Sequence, residues 1–209
     1  MQFSSGSTAD LLKLIAEHPL AWLVNHGSAG FDATPLPMLA ETDAEGRLVS
    51  LLGHCSRRNA QVAALQANPN AVLLFSGPHA YISPALVSKP RWVPTWNFAV
   101  AMIAVEVEFI EDETLSSVEQ LTDTMEASQP NPWTIADAGE RMAQLLPRII
   151  AFRAHVRAID ARFKLGQDET AEVAAELIAG TDGTELSDWM RRMNADRLPV
   201  PTTTQESLA

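Results

Sequence analysis

Two stretches of this 209-residue chain alternate between an apolar and a charged face, and this period of two constrains the fold more than any other feature. In residues 105–109 two glutamates separate three apolar positions. In residues 150–158, Arg153, His155 and Arg157 lie on the face opposite to Ile150, Phe152, Ala154, Val156 and Ala158. Because successive side chains of a strand point to opposite faces, each stretch predicts a strand with one buried and one solvated face, as in antiparallel sheets.

Short extended runs joined by turns fill much of the remaining chain. Strands are predicted over residues 20–25, 31–40, 47–53, 71–76, 80–83, 93–110 and 150–158. Helices are predicted over residues 7–18, 59–67, 115–127, 137–146, 170–179 and 184–194. Pro35 and Pro37 favour an edge or a bulge in the second strand. Six or seven strands with hairpin connections predict an α+β fold, a mostly antiparallel β-barrel with peripheral helices. A doubly wound dinucleotide fold is not expected, because no βαβ alternation with a Gly-rich turn is present.

The acidic charge balance argues against direct binding of nucleic acid. The chain has 26 acidic and 15 basic residues, a formal charge of −11, and 46% of its positions are hydrophobic. Affinity for nucleic acid comes mainly from Lys and Arg that displace counterions. Residues 141–164 hold a local excess of basic side chains, but half of these fall on a predicted strand and no helix-turn-helix pattern surrounds them. The length suggests one large domain with at most a small addition.

The single cysteine and the five histidines predict neither a nucleophile nor a metal site. Cys55 has no disulfide partner, and its neighbour His54 points to the opposite face of the predicted strand, so we interpret Cys55 as a small buried thiol. The histidines show no metal-binding spacing. No segment with the features of a leader or a membrane span is evident, so a soluble, cytoplasmic protein is expected. Residues 199–209 lack apolar periodicity and are expected to form a flexible tail.

The segment from Gly53 to Asn59 is the best candidate for an anion site. It joins a predicted strand to a predicted helix, so that the guanidinium groups of Arg57 and Arg58 and the hydroxyl of Ser56 lie near the start of a helix. The helix dipole and the forked donors of arginine both favour phosphate there. The alternative interpretation is a capping serine beside two solvated arginines, and the residues alone leave both open.

A second group of residues combines aromatic rings with hydroxyl and amide groups. It comprises residues 77–84 and 92–98, in which prolines restrict the backbone beside Tyr81, Ser83, Thr95, Trp96 and Asn97. Such a set is suited to a flat heteroaromatic ligand, whose polar edge the hydroxyls and the amide would satisfy. An ordinary aromatic core cluster is the alternative. Lys164 and Gln167 add a cation and an amide after the last strand.

These motifs give the chain a resemblance to the PaiB-like family, whose members are described as FMN-binding negative transcriptional regulators. The central signature is Gly77-Pro78-x-Ala80-Tyr81-Ile82-Ser83-Pro84 followed by Val93-Pro94-Thr95-Trp96-Asn97-Phe98. His18-Pro19-Leu20, residues 53–59 and Phe163-Lys164-Leu165-Gly166-Gln167-Asp168 resemble further landmarks of that family. The resemblance covers roughly residues 9–179. Thr34-Pro35 and Ala85-Leu86 depart from it, because a histidine and two aromatic residues of the family pattern are missing there.

The resemblance implies the split β-barrel of flavin reductases and pyridoxamine-phosphate oxidases, a homodimer with FMN at the subunit interface. The FMN phosphate would lie beside Arg57, Arg58 and Asn59, and the isoalloxazine near residues 81–83 and 95–97. The cofactor-binding residues expected on this basis are His54, Ser56, Arg57, Arg58, Asn59, Tyr81, Ile82, Ser83, Thr95, Trp96, Asn97, Lys164 and Gln167. Residues 1–180 would form the barrel domain, residues 181–198 a helical appendage and residues 199–209 the tail.

Three functions are compatible with this interpretation. The first is an FMN-binding protein with flavin-dependent oxidoreductase or redox-regulatory capability, in which the isoalloxazine carries the redox chemistry. The second is a regulator that acts through protein partners. The third is a family member that has lost FMN and binds another small molecule. No residue stands out as an essential acid or base, and whether the protein is an enzyme stays open.

Overall fold

The computed structural model describes residues 5–27 and 30–198, so the predicted tail at residues 199–209 lies outside the described residues. Its strands are β1 (Leu20–Gly27), β2 (Gly30–Thr42), β3 (Leu48–Ser56), β4 (Asn70–Ile82), β5 (Thr95–Phe109) and β6 (Ile149–Lys164). They form a closed barrel in the order β1-β2-β3-β6-β5-β4. The pairs β1–β2, β1–β4, β2–β3 and β3–β6 are antiparallel. The predicted mostly antiparallel barrel is therefore confirmed.

Two predicted strand boundaries are wrong. Residues 71–76 and 80–83 belong to one continuous strand, β4, because Gly77 and Pro78 lie within it instead of forming a turn. The last strand, predicted to end at residue 158, continues to Lys164, and in residues 159–164 the alternation of apolar and charged residues is shifted by one position. Six strands therefore form the barrel in the described part of the chain.

The helices are α1 (Thr8–Glu17), α2 (Ala60–Ala67), α3 (Thr114–Glu126), α4 (Glu140–Leu145), α5 (Ala171–Gly180) and α6 (Glu185–Met193). The predicted capping box of the first helix is present, with Ser7 and Asp10 bonded reciprocally. The helix predicted over residues 137–146 is shorter than expected, because 3₁₀ turns at Ile135–Ala138 and Leu146–Arg148 flank α4. No described helix has the length and apolar character needed to cross a membrane.

The chain divides into two compact units. The barrel unit comprises residues 5–27, 30–77 and 100–161, and its core includes Leu23, Met38, Leu51, Leu73, Ile103 and Phe152. The C-terminal unit comprises residues 78–99 and 162–198. In its core the rings of Phe163 and Trp189 stack with centroids 5.7 Å apart and planes 9° from parallel. The predicted division at residue 180 into a barrel domain and a helical appendage stays a prediction.

One outer face of the barrel unit is apolar, and we call it the apolar face. It consists of the apolar outward side chains of β1, of the first half of β2 and of β4: Leu20, Trp22, Val24, Phe31, Ala33, Pro35, Pro37, Val72 and Leu74. The polar outward side chains of β1 and of the first seven residues of β4 are His26, Asn70 and Ser76. Trp22 lies opposite Pro35 on one side and Leu74 on the other, so these side chains form a continuous surface. Leu20 is 60% exposed and Phe31 is 81% exposed. None of these residues carries a charge.

The prolines of the apolar face occupy the half of β2 that pairs with β1 alone. Residues 30–37 pair with β1, whereas residues 38–42 pair with β3. Because proline has no N–H to donate, it fits a strand only where one side of the backbone lacks a partner. The expectation that Pro35 and Pro37 mark an edge agrees with this register.

Candidate functional site

In the barrel unit, the junction between β3 and α2 uses most of its polar groups to cap the helix. Asn59 is the N-cap residue, and its Oδ1 accepts a hydrogen bond from the Gln61 amide at 3.0 Å. Its Nδ2 donates to Thr34 Oγ1 at 3.0 Å. The Ser56 hydroxyl accepts a hydrogen bond from the Arg58 amide at 3.2 Å. Ser56 and Asn59 therefore shape the turn, and the start of the helix is already capped.

The two arginines of the junction, adjacent in sequence, have different partners. The guanidinium of Arg57 forms an ion pair with Glu111, and its backbone N–H donates to the Arg148 carbonyl at 2.9 Å. Arg58 is exposed, and no carboxylate of residues 5–27 and 30–198 forms an ion pair with it. Because the Arg57 charge is neutralised locally, Arg58 is the cation that the junction leaves available for an anion.

His54 and Cys55 do not form a catalytic pair. Cys55 is buried, and burial raises the pKa of its thiol to about 11, so the thiol is protonated at neutral pH. Burial lowers the pKa of His54, which keeps its imidazole neutral. The buried Nδ1 of His54 has no hydrogen-bond partner among the described residues. The interpretation of Cys55 as a buried thiol is therefore supported.

In the C-terminal unit, three aromatic side chains form an exposed group that we call the ring cluster: His79, Tyr81 and Trp96. The Tyr81 and Trp96 rings meet edge to face with centroids 6.2 Å apart, and the His79 ring lies 6.5 Å from Trp96. Tyr81 is 53% exposed and Trp96 is 54% exposed. An aromatic core cluster would be buried, so the exposed Tyr81 and Trp96 rings do not fit that interpretation.

A cation is fixed beside the ring cluster. Lys164, the last residue of β6, donates from Nζ to Thr95 Oγ1 and, at 3.2 Å, to the Trp96 carbonyl. The ammonium group therefore lies at the backbone of a ring-cluster residue. His79 was missed in the sequence, although the signal was present: His79 and Tyr81 are two residues apart in β4 and so share one face of the strand.

Four of the predicted residues use their side chains for internal packing or for local hydrogen bonds. Ile82 is fully buried, and Asn97 is buried with its Nδ2 3.6 Å from Met190 Sδ. Ser83 caps the 3₁₀ turn Pro84–Leu86 by accepting from the Ala85 amide. Gln167 closes its own loop, since its Oε1 accepts from the Leu165 amide at 2.6 Å and its Nε2 donates to the Phe163 carbonyl at 3.1 Å. In this structure Ile82 and Asn97 pack in the interior, whereas Ser83 and Gln167 bond backbone groups.

The residues that depart from the family pattern have packing roles. Thr34 Oγ1 accepts the hydrogen bond from Asn59, and Pro35 belongs to the apolar face. Leu86 packs so closely on Gly180 that a Cβ at position 180 would lie 2.8 Å from Leu86 Cδ2. A side chain at position 180 would therefore force Leu86 to shift.

Three basic side chains of β6, Arg153, His155 and Arg157, contact glutamates of the same unit, and we call this surface the charged face. Arg153 bonds Glu41 and Glu113, His155 bonds Glu108 and Arg157 bonds Glu106. Burial tends to raise the pKa of Glu41, but the bonds from Arg153 and Ser50 outweigh it, and the pKa is lowered overall. Arg153 and Arg157, two of the basic residues in the local excess, are thus less available to a nucleic-acid backbone.

The predicted site residues therefore fall into two groups. His54, Ser56, Arg57, Arg58 and Asn59 come together at the junction in the barrel unit. Tyr81, Ile82, Ser83, Thr95, Trp96, Asn97, Lys164 and Gln167 belong to the C-terminal unit. Within residues 5–27 and 30–198, no three His, Cys, Asp or Glu side chains are grouped so that they could hold a metal ion.

A model of a known protein family matches most of the chain. The family model described as "Putative FMN-binding domain" matches residues 1–158. The protein named "Protease synthase and sporulation protein PAI 2" from Bacillus subtilis is 28% identical over 120 residues, which cover 56% of this chain and 58% of that protein. A protein of Aspergillus fumigatus is 28% identical over 178 residues, which cover 66% of this chain and 68% of that one. The chain thus spans under two thirds of the length of the Bacillus relative.

Solved structures share the fold at low sequence identity. The FAD and heme binding protein from Mycobacterium smegmatis superposes with a TM-score of 0.58 at 16% identity, covering 86% of this chain and 80% of that one. A flavocytochrome from Azotobacter vinelandii gives a TM-score of 0.52 at 14% identity, covering 74% and 66%. At these identities the likeness is one of fold alone, and it agrees with the predicted split barrel.

Proposed function

This chain belongs to the family of FMN-binding domains, and from that premise we propose that it is a flavoprotein that uses FMN in a redox role. FMN consists of a flat isoalloxazine and a phosphate, so it needs an aromatic or backbone surface and a cation. The described residues offer both kinds of group, each within its own unit. The isoalloxazine supplies the redox chemistry when FMN is bound.

The exposed ring cluster is the single observation that carries this proposal. Monomeric soluble proteins seldom leave two large aromatic rings half exposed and adjacent without a binding role. Tyr81 and Trp96 present apolar ring surface, and Lys164 provides a positive charge and N–H donors beside them. We assign the isoalloxazine to this cluster, with Lys164 directed to the polar edge of the ring system.

We assign the phosphate to Arg58 instead of to both arginines. The exposed Arg58 guanidinium has donors for phosphate oxygens and no carboxylate competing for them among the described residues. Arg57 is held by Glu111, and a phosphate there would have to displace that carboxylate. His54, whose pKa burial lowers, would contribute a neutral imidazole and no charge.

A titration with two flavins tests the phosphate assignment. The purified protein is titrated with FMN and with riboflavin, which lacks the phosphate, and quenching of flavin fluorescence is followed. Arg58→Gln should weaken FMN binding about tenfold, the usual value of a charge-assisted contact, while leaving riboflavin binding unchanged. Arg57→Gln is the matched control and should leave both affinities unchanged. Equal effects of the two substitutions, or an unchanged FMN affinity in Arg58→Gln, would show that the phosphate binds elsewhere.

We propose further that the protein is a homodimer and that the apolar face is buried between two copies. An uncharged sheet surface with Trp22, Phe31 and Leu74 exposed is unusual in a chain whose formal charge is −11. Dimerisation through this face would remove it from water. A flavin bound at the subunit interface, as the family resemblance implies, belongs to this proposal.

A role in regulation would rest on protein partners. The cations of the charged face are already paired with carboxylates, so direct contact with a nucleic acid is not expected. A protein that takes up neither FMN nor riboflavin would instead support the third function, a family member that binds another small molecule.

A further inference from the structure

The loop that follows β6, residues 165–169, is held by side chains from the end of the described chain. The Arg197 guanidinium donates to the carbonyl oxygens of Gly166 and Gln167, both at 3.0 Å, and of Glu169 at 2.5 Å. Asn194, which is almost fully buried, donates from Nδ2 to the Leu165 carbonyl at 2.9 Å. Residues 194–197 thus bond the backbone of nearly the whole loop. We call residues 194–197 the C-terminal clamp.

The clamped loop holds a second segment, residues 87–94, which leads into β5. The Glu169 carboxylate accepts the indole N–H of Trp92 at 2.8 Å and lies 3.8 Å from Lys89 Nζ. The Ser88 amide donates to the carboxylate of Glu176 in α5 at 2.8 Å. Between these two anchors Arg91 has φ of 61°, which L-residues adopt only when their surroundings impose it. The conformation of residues 87–94 therefore depends on Glu169 and Glu176.

Both held segments end at residues assigned to the flavin. Residues 87–94 run directly into Thr95 and Trp96, and the loop 165–169 begins directly after Lys164. Lys164 also joins the two segments, because its Nζ bonds Thr95 and the Trp96 carbonyl. All of these contacts lie within the C-terminal unit. A shift of the loop would thus move the Lys164 ammonium group and the Trp96 indole together.

We propose that Arg197 is a positioning residue for the flavin ring: by holding the carbonyls of residues 166, 167 and 169, it sets the place of Lys164 and Trp96. This proposal rests on the proposed function, since it concerns the same ring-binding residues. One guanidinium with planar, forked donors can satisfy three carbonyls at once, whereas a lysine ammonium cannot reproduce that arrangement. Arg197 lies beyond residues 1–158, the part matched by the family model, so this role is not assigned by the family.

Two substitutions and one control test the proposal. Arg197→Ala removes all three bonds, and Arg197→Lys retains the charge with fewer bonds. Arg191→Ala is the matched control, because Arg191 bonds Asp182 and Asp188 and touches neither loop. Hydrogen–deuterium exchange of the FMN-free proteins is followed by mass spectrometry, and FMN and riboflavin affinities are measured by fluorescence quenching.

In Arg197→Ala we expect faster exchange in residues 87–94 and 165–169, with the barrel unit unchanged. FMN and riboflavin affinity should both fall about tenfold, because the ring and not the phosphate loses its contact. Arg197→Lys should lie between the wild type and Arg197→Ala, and the visible spectrum of bound FMN should shift in both variants. Arg191→Ala should match the wild type in every respect.

Other results would overturn the proposal in distinguishable ways. If Arg197→Ala fails to fold, Arg197→Lys carries the test alone. Faster loop exchange with unchanged flavin affinity and spectrum would show that Arg197 is structural only. A wild-type protein that takes up no flavin would overturn the proposed function, and this inference with it.

Discussion

The apolar face and the charged face are two outward sheet surfaces of the same barrel unit, but their side chains have opposite character. On the charged face, Arg153, His155 and Arg157 each contact a glutamate, so the surface is polar and compatible with water. On the apolar face, Trp22, Phe31 and Leu74 are exposed and have no charge among them. We attribute the difference to the proposed homodimer, in which a second copy would cover the apolar face.

The largest effect should follow from placing a charge on the apolar face. Trp22→Glu puts a carboxylate between Pro35 and Leu74, where a second copy would have to bury it unpaired. We expect the dimer to weaken about a hundredfold or more, because central aromatic contacts and unpaired buried charges dominate interface energies. Sedimentation velocity over a range of concentrations measures the change.

A control for this prediction uses the same chemistry elsewhere. Leu145 in α4 is also exposed but lies outside the apolar face, so Leu145→Glu should leave the association state unchanged. A wild-type protein that stays monomeric at high concentration would contradict the proposed use of the apolar face.

A smaller effect, on the free energy of unfolding, should follow from removing Arg153, the least exposed basic side chain of the charged face. The Arg153 side chain is 24% exposed and bonds both Glu41 and Glu113. Arg153→Ala should lower the free energy of unfolding by about 1 kcal/mol, a value reduced by the remaining access of solvent. Arg157→Ala, at a more exposed position with one glutamate partner, should have a clearly smaller effect. Urea unfolding compares the two, and equal losses would contradict the ranking.

The smallest effect is the pH dependence of that same contact. Because the pKa of Glu41 is lower in the folded protein than its ordinary value of 4.5, the contact stabilises the fold fully above that value. The stabilisation is lost as the pH falls from there through the folded-state pKa. The difference in unfolding free energy between the wild type and Arg153→Ala should therefore shrink between pH 7 and pH 3. A difference in unfolding free energy that grows as the pH falls would contradict this predicted pH dependence.

The sequence was sufficient to predict the charged face but not the partners of its basic side chains. The period of two in residues 105–109 and 150–158 identified both strands and the side chains that face water. The partner of each cation depends on strand order, which periodicity does not encode. Arg57 and Arg58 illustrate this limit, since Glu111, which neutralises only the first, lies 54 residues away.

The sequence predicted which residues make up the candidate ring site, but it did not predict that the side chains of Tyr81 and Trp96 are exposed. Aromatic residues in strands are usually buried, so the residues alone favoured a core cluster for Tyr81 and Trp96 over a ligand site. Their exposure is a tertiary property. The same is true of Gln167, whose amide is used by its own loop, and of Arg197, whose contacts lie about 30 residues back in the chain.

The central claim is that this chain binds FMN, and one measurement tests it most directly. The purified protein is loaded with excess FMN, freed of unbound flavin by gel filtration, and its visible absorption is compared with its protein concentration. The account predicts a yellow protein that retains one FMN per chain, with a flavin spectrum shifted from that of free FMN. A colourless protein that retains no FMN after loading would contradict it.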